Sequence, residues 1–282
     1  MQHLELVHKK DITPFRRLAI GTWQTPYDPS VYGTMQIRMD HAMAYIEDYR
    51  KKTGVRLTVS HLVARAVAEV LKRMPQANAI LRFNRIYLRK RIGIFFQVTI
   101  RDEETGKLDL SGATFYDLDK KSLPEIIAEM DAKVHSVRKG TDKALEKSRR
   151  SFQFVPMIFM NFVLKMVSFL AYTLNLDLSR LGMPRDPFGS VMVTNIGALG
   201  LDAAYVPLIA YSRVPLLLAL GGVKEVPLVE HGKIIVAKVM DVNVTFDHRY
   251  FEGAQAAIMA TILRSWLEEP AKHFGPIPDA RA

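Results

Sequence analysis

The sequence predicts one α/β domain built on a mixed sheet, and three features predict it. Alternating, β-branched runs dominate residues 191–245, the period-two pattern of strands with a single buried face. Apolar residues at helical spacing recur before and after that region, as at Met43, Ile46 and Tyr49. No internal repeat or low-complexity tract breaks the chain, and 282 residues, 49% of them hydrophobic, can bury a large core.

The elements follow in order. After a basic, irregular start over 9–25, a strand is expected over 32–38, leading into a helix with Asp40 as its N-cap. That helix turns Met43, Ile46 and Tyr49 inward and stops near Gly54. The next starts from Thr58 or Ser60 and ends at Pro75, which cannot continue it. Strands are expected over 86–89 and 92–100, with Glu103-Glu104-Thr105-Gly106-Lys107 as the hairpin turn before Leu108. A helix from Ser122 or Pro124 carries Ile126, Ile127 and Met130 inward and runs into a basic, polar stretch. Within the strand-rich region, Glu230-His231-Gly232-Lys233 forms a tight turn between 226–229 and 234–236. Residues 254–267, rich in Ala, Ile, Met and Leu at helical spacing, make the last helix.

Composition excludes several function classes. The chain has no cysteine, so disulfides, cysteine-ligated metal and a cysteine nucleophile are ruled out; no metal site is expected. The polar start Met1-Gln2-His3-Leu4-Glu5 has no cleavable signal pattern, which favours the cytoplasm. A net charge of +10 attracts polyanions. No nucleic-acid motif accompanies it, so nucleic acid is not expected as a partner.

One short string carries the chemistry: Phe246-Asp247-His248-Arg249-Tyr250-Phe251-Glu252-Gly253-Ala254. His248 falls where a strand hands over to a helix, with a carboxylate four residues later and a glycine after it. A neutral imidazole with a pKa near working pH is a common general base for a thiol or hydroxyl, and a carboxylate nearby can orient it. A lone histidine beside an acid can equally be a satisfied turn.

The string resembles the Asp-His-Arg-x-x-Asp-Gly-Ala signature of the acyltransferase (E2) catalytic domain of 2-oxo acid dehydrogenase complexes, whose fold is shared with chloramphenicol acetyltransferase. Upstream, Phe188-Gly189-Ser190-Val191-Met192-Val193-Thr194-Asn195-Ile196-Gly197-Ala198-Leu199-Gly200 is similar to that family's Gly-x-Phe-Thr-Ile-Ser-Asn-Leu-Gly segment. Residues 59–79, closing on Met74-Pro75-Gln76-Ala77-Asn78-Ala79, resemble its amphipathic helix ending in Pro-x-x-Asn. Lys120-Lys121-Ser122-Leu123-Pro124-Glu125-Ile126 resembles its Lys-Ser-Leu-x-Glu-Ile helix start. The four matches keep the family's order and cover roughly two-thirds of the chain. The implied fold is a chloramphenicol acetyltransferase-like two-layer sandwich with a mixed sheet.

The resemblance also implies a mechanism. His248 would remove the proton from the thiol of coenzyme A or of a dihydrolipoyl group, so that the sulfur attacks a thioester carbonyl. Thr194 stands where the family has the serine or threonine that donates to the developing oxyanion. In the family these two groups belong to neighbouring subunits of a trimer, so a homotrimer is expected. Glu252 matches the Asp or Asn that braces the histidine loop, and its extra methylene is a departure. Asp247, Arg249, Gly253, Asn195 and Gly197 would shape the two loops. Coenzyme A, with its several phosphate charges, suits so basic a chain; which residues would touch it is open.

Two segments depart from the family. Residues 154–176 are almost continuously apolar and sit within an insertion at about 151–185, flanked by Arg149-Arg150. The length allows a membrane span. Lys165 and Asn161 in mid-segment, and the splitting of the domain that a single crossing would cause, argue against one. A helix packed on protein, an interfacial helix on the inner face of a membrane, and a re-entrant hairpin remain open. Thr141-Asp142-Lys143-Ala144 resembles a lipoyl-domain hairpin, but its basic, helical surroundings read as a solvated linker. Neither a lipoyl nor a subunit-binding domain finds room in the chain, so a separate lipoyl-bearing protein is the expected acyl carrier. Other readings stay open: transfer from acyl-CoA to a small hydroxyl or amine, and a catalytically inactive trimeric scaffold or membrane-associated module. A peptide-synthetase condensation domain is disfavoured, because Asp247 occupies the place of its first histidine.

Overall fold

A computed structural model describes residues 3–10, 29–101, 108–141 and 155–278 of the chain. Most of the basic start, the turn at 103–107, Asp142-Lys143-Ala144 and Arg149-Arg150 lie outside the described residues.

The strands are β1 (Leu6–His8), β2 (Ser30–Arg38), β3 (Ala79–Arg82), β4 (Arg85–Arg89), β5 (Gly93–Arg101), β6 (Leu108–Tyr116), β7 (Val191–Asn195), β8 (Leu216–Glu230) and β9 (Lys233–Asp247). The helices are α1 (Asp40–Thr53), α2 (Val59–Arg73), α3 (Leu123–Arg138), α4 (Met157–Ser168), α5 (Gly253–Glu268) and α6 (Pro270–Phe274). Six strands form a mixed sheet in the order β2-β9-β8-β7-β5-β6, in which β7 runs parallel to β5 and β8 and the other pairs are antiparallel. An antiparallel sheet of three, β1-β4-β3, lies beside it.

Helices α1, α2, α3 and α5 cover one face of the large sheet. On β7, Val191 and Val193 join the core cluster that includes Val67 of α2 and Leu263 of α5. Met192 belongs to a separate cluster on the opposite face, with Ile196, Val214, Leu217 and Ala219. Thr194 shares the face of Met192 because strand side chains alternate. The oxyanion candidate therefore points away from the helical layer.

Local chemistry explains most boundaries. Gly54, at φ 69°, caps α1 in the left-handed region. Thr58 and His61 close a capping box on α2, and Ser122 and Glu125 close one on α3. The β8–β9 hairpin turns on His231 and Gly232, both at positive φ.

One expectation needs correction. Asp40 is the first residue of α1 rather than its cap, and its carboxylate accepts from Arg38 Nε at 2.8 Å and from the Lys238 N–H at 3.1 Å. Residues 79–82 form β3, and two positive-φ residues, Phe83 and Asn84, return the chain at once into β4. Of the apolar segment, the described residues form a twelve-residue helix, α4, followed by a π-helical turn over Phe169–Thr173. Ala171 and Tyr172 pack with Leu4, Ile80 and Leu178, whereas Ile158, Phe159 and Phe162 stay exposed. No described helix is long and apolar enough to cross a membrane. At the C-terminal end of the described residues, Phe274 lies against Tyr45 and Trp266, with ring centroids 6.0 and 5.2 Å away, and Ile277 rests on the same core.

Candidate active site

Strand pairing fixes His248. Asp247 ends β9 opposite Ser30, and the His248 N–H continues the ladder by donating to the Pro29 carbonyl at 2.9 Å. The chain then turns sharply, with the Tyr250 N–H donating to the Asp247 carbonyl at 3.0 Å. Inside the turn, Asp247 accepts from the Arg249 N–H at 2.9 Å and from its Nη2 at 2.6 Å. Desolvation opposes the Arg249 charge, but the carboxylate overrides it and holds its pKa above the ordinary value. Behind the turn, Phe251 is fully buried and stacks on Phe246 at 5.0 Å. The Tyr250 hydroxyl accepts from the Leu81 N–H at 2.8 Å, and burial pushes its pKa up to about 12. His248 itself is half-buried.

Glu252 performs a structural task here. It is the N-cap of α5, where its side chain accepts from the Gln255 N–H while the Gln255 side chain accepts from the Glu252 N–H at 3.0 Å. Gly253 is the first residue of that helix.

Thr194 sits near the end of β7, half-buried. The Asn195 Oδ1 accepts from the Ala198 N–H at 3.0 Å and closes the following turn. That turn crosses β8 at a bulge between Leu220 and Val223. A Cβ on Gly197 would lie 2.5 Å from Gly222 N, and one on Gly221 would lie 2.1 Å from the Asp202 carbonyl oxygen. Both glycines are therefore required by close backbone approach.

Sheet register separates the two catalytic candidates. Thr194 is level with Ala219, Asn243 and Thr34 across β7, β8, β9 and β2. His248 lies two strands over and five residues beyond that row, which places it about 20 Å away from strand spacing and rise. One protomer does not bring them together. In that row the buried Asn243 accepts from the Thr34 hydroxyl at 2.8 Å, and Thr34 also meets the Tyr205 hydroxyl at 2.7 Å.

The model of the 2-oxoacid dehydrogenase acyltransferase catalytic domain matches residues 13–153 and 187–274 of this chain. The chain belongs to this family. The unmatched stretch between, 154–186, contains α4 and its π-helical turn. Among curated relatives, the chain is 22% identical over 221 residues to the dihydrolipoyllysine-residue acetyltransferase component of the acetoin cleaving system of Bacillus subtilis, covering 78% of this chain and 44% of that protein. It is 33% identical over 85 residues to a lipoamide acyltransferase component of the branched-chain alpha-keto acid dehydrogenase complex of Pseudomonas putida, 30% of this chain and 20% of the other. The chain thus spans less than half the length of these relatives. Among solved structures it superposes on a probable dihydrolipoamide acetyltransferase from Listeria monocytogenes with a TM-score of 0.65 at 15% identity, covering 96% and 99% of the two chains. Chloramphenicol acetyltransferase superposes with a TM-score of 0.51 at 11% identity, covering 93% and 100%. The fold is that of the E2 core and of chloramphenicol acetyltransferase.

Within this acyltransferase-family domain, sequence reasoning passed over several supporting residues. Buried Asn78 donates to the carbonyls of Arg89 and Arg91, both at 3.2 Å, and accepts from Ser190 Oγ at 2.5 Å, tying β4 and β5 to the start of β7. The Pro-x-x-Asn string contained that residue, and only its three distant partners reveal the role. Arg213, at φ 56°, and the Gly221-Gly222 bulge gave no local sign of importance.

Proposed function

We propose that this domain transfers an acyl group between a thioester and a thiol, with coenzyme A as one carrier and a dihydrolipoyl group on a separate protein as the other. The single observation that carries the reading is the His248 turn: an imidazole placed at a strand end by a backbone bond to Pro29 and braced by the Asp247–Arg249 pair, in a member of an acyltransferase family. His248 takes the proton of the attacking thiol, and the sulfur bonds to the thioester carbonyl carbon. The Thr194 hydroxyl donates to the oxyanion that forms. Collapse of the intermediate breaks the original carbon–sulfur bond, and the departing sulfur recovers the proton from His248.

Because Thr194 and His248 lie about 20 Å apart in one protomer by strand geometry, the reaction requires His248 of one subunit to meet Thr194 of another. The outward face of Thr194 suits such a contact, and a trimer is the proposed assembly.

A thiol-release assay with a panel of acyl-CoA donors, with and without a lipoyl-domain protein, tests the reading. His248→Ala should abolish transfer, and Thr194→Ala should lower kcat by about two to three orders of magnitude. Wild-type turnover in His248→Ala sinks the assignment. A monomer by light scattering, with full activity, sinks the shared site.

A further inference from the structure

Beside the His248 turn lies a cavity of about 240 Å³, walled by Leu81, Leu208 and Val214 and reached by Asp247, Arg249 and Arg213. The residues that flank His248 in sequence thus line it. Its volume is below the roughly 300–1,000 Å³ of pockets that enclose a whole drug-sized ligand, so it suits one end of a substrate rather than an entire carrier.

The charges in this cavity do not balance. Arg249 is matched by Asp247 in a bidentate pair. Among the described residues, Arg213 makes one hydrogen bond, from Nε to Ser168 Oγ at 3.0 Å, and no carboxylate pairs with it. Burial lowers its pKa, Tyr250 opposes that effect, and nearby Arg249 reinforces it. Backbone geometry points the same way: Arg213 follows the Ala210–Ser212 turn in the left-handed region, which disfavours a bulky residue. Buried Ser168, at the end of α4, holds Nε of the guanidinium, and Arg213 lines the cavity.

We propose that this cavity is a subsite for the carboxylate end of a short acyl group, with Arg213 as the residue that selects it. The apolar walls would hold the methylenes and the guanidinium fork the carboxylate. One uncompensated cation matches one carboxylate, whereas a phosphate dianion would be left half neutralised; the carrier's phosphate is accordingly the alternative source of an oxyanion. The place of this subsite in a reaction rests on the acyl-transfer reading above. The anion site does not.

Calorimetric titration of the full chain with succinate, butyramide and inorganic phosphate tests the site without turnover. Succinate should bind the wild type about tenfold or more tightly than uncharged butyramide, and Arg213→Met should remove that advantage. The ratio of kcat/KM for succinyl-CoA to that for butyryl-CoA should fall by about tenfold in the same variant. Should Arg213→Met fail to fold, Arg213→Lys keeps the charge but loses the fork and should weaken succinate about threefold or more. Equal succinate affinity in wild type and variant overturns the proposal. Phosphate binding tighter than succinate with the same dependence on Arg213 also overturns it, in favour of the carrier. A protein inert toward every thioester that still binds succinate through Arg213 would sink the acyl-transfer reading and leave the subsite standing.

Discussion

Asp247 and Arg249 close on each other across the base of the His248 turn, with Arg249 Nη2 2.6 Å from Asp247 Oδ2 and both side chains largely buried. The pair bridges the last residue of β9 to the residue after the candidate base, so it sets where the imidazole leaves the sheet. Asp247→Asn should destabilise the fold by about 3–5 kcal/mol, because it strands a buried guanidinium without its counter-charge. Urea denaturation reads this directly. Asp247→Leu combined with Arg249→Met should recover part of the loss, since no unpaired charge then remains, while kcat stays low.

Glu252 caps α5, so its substitution separates a structural role from a catalytic one. Glu252→Ala should lower stability by about 0.5–2 kcal/mol through loss of the cap. Glu252→Asp should keep the fold, because aspartate is a strong N-cap, and should preserve or raise acyl transfer. A collapse of kcat in Glu252→Asp at unchanged stability would mean that the longer side chain matters to the chemistry itself.

Gly197 and Gly221 hold the turn after Thr194 against the β8 bulge. Gly221→Ala would push a methyl group against the Asp202 carbonyl oxygen, and Gly197→Ala would press on Gly222. Each should cost about 1–3 kcal/mol by overpacking. Displacement of Thr194 by about an angstrom should also lower kcat by about two orders of magnitude. Thermal unfolding and steady-state kinetics on the same preparations check both effects.

Burial lowers the pKa of His61, against the opposing pull of Asp131, and burial lowers that of His3. The folded chain therefore resists protonation at both residues, while the unfolded chain takes up protons near pH 6.5. Their contribution to stability is full above about pH 6.5 and is lost as pH falls below it. Melting temperatures from pH 8 to 5 should fall in wild type. The slope should be shallower in His61→Gln, which retains an acceptor for the α2 capping box.

Much of the fold was legible because local rules agree with the tertiary result. Ser122 with Glu125, Gly54, and the His231-Gly232 turn each carry their chemistry within four residues, and each element forms where that chemistry places it. Asp40 misled because its partners are Arg38 and a backbone amide on β9, the latter remote in sequence. Strand β3 over Ala79–Arg82 was not read from the sequence because four residues between a helix and a turn are too few to show a period; its strand character comes from pairing with β4.

The sequence by itself determined the family, the mixed α/β architecture and the candidate pair His248 and Thr194, because those rest on short strings whose spacing survives without a structure. Tertiary structure alone decided what surrounds them. Register across four strands sets His248 and Thr194 apart within one protomer. Phe274 and Ile277 turn back onto their own core. Arg213 is brought from the turn before β8 to the cavity beside the His248 turn, against a serine from the apolar insertion. Pairing, packing and charge balance join residues that are remote in the chain, and local sequence carries no record of such neighbours until the sheet has formed.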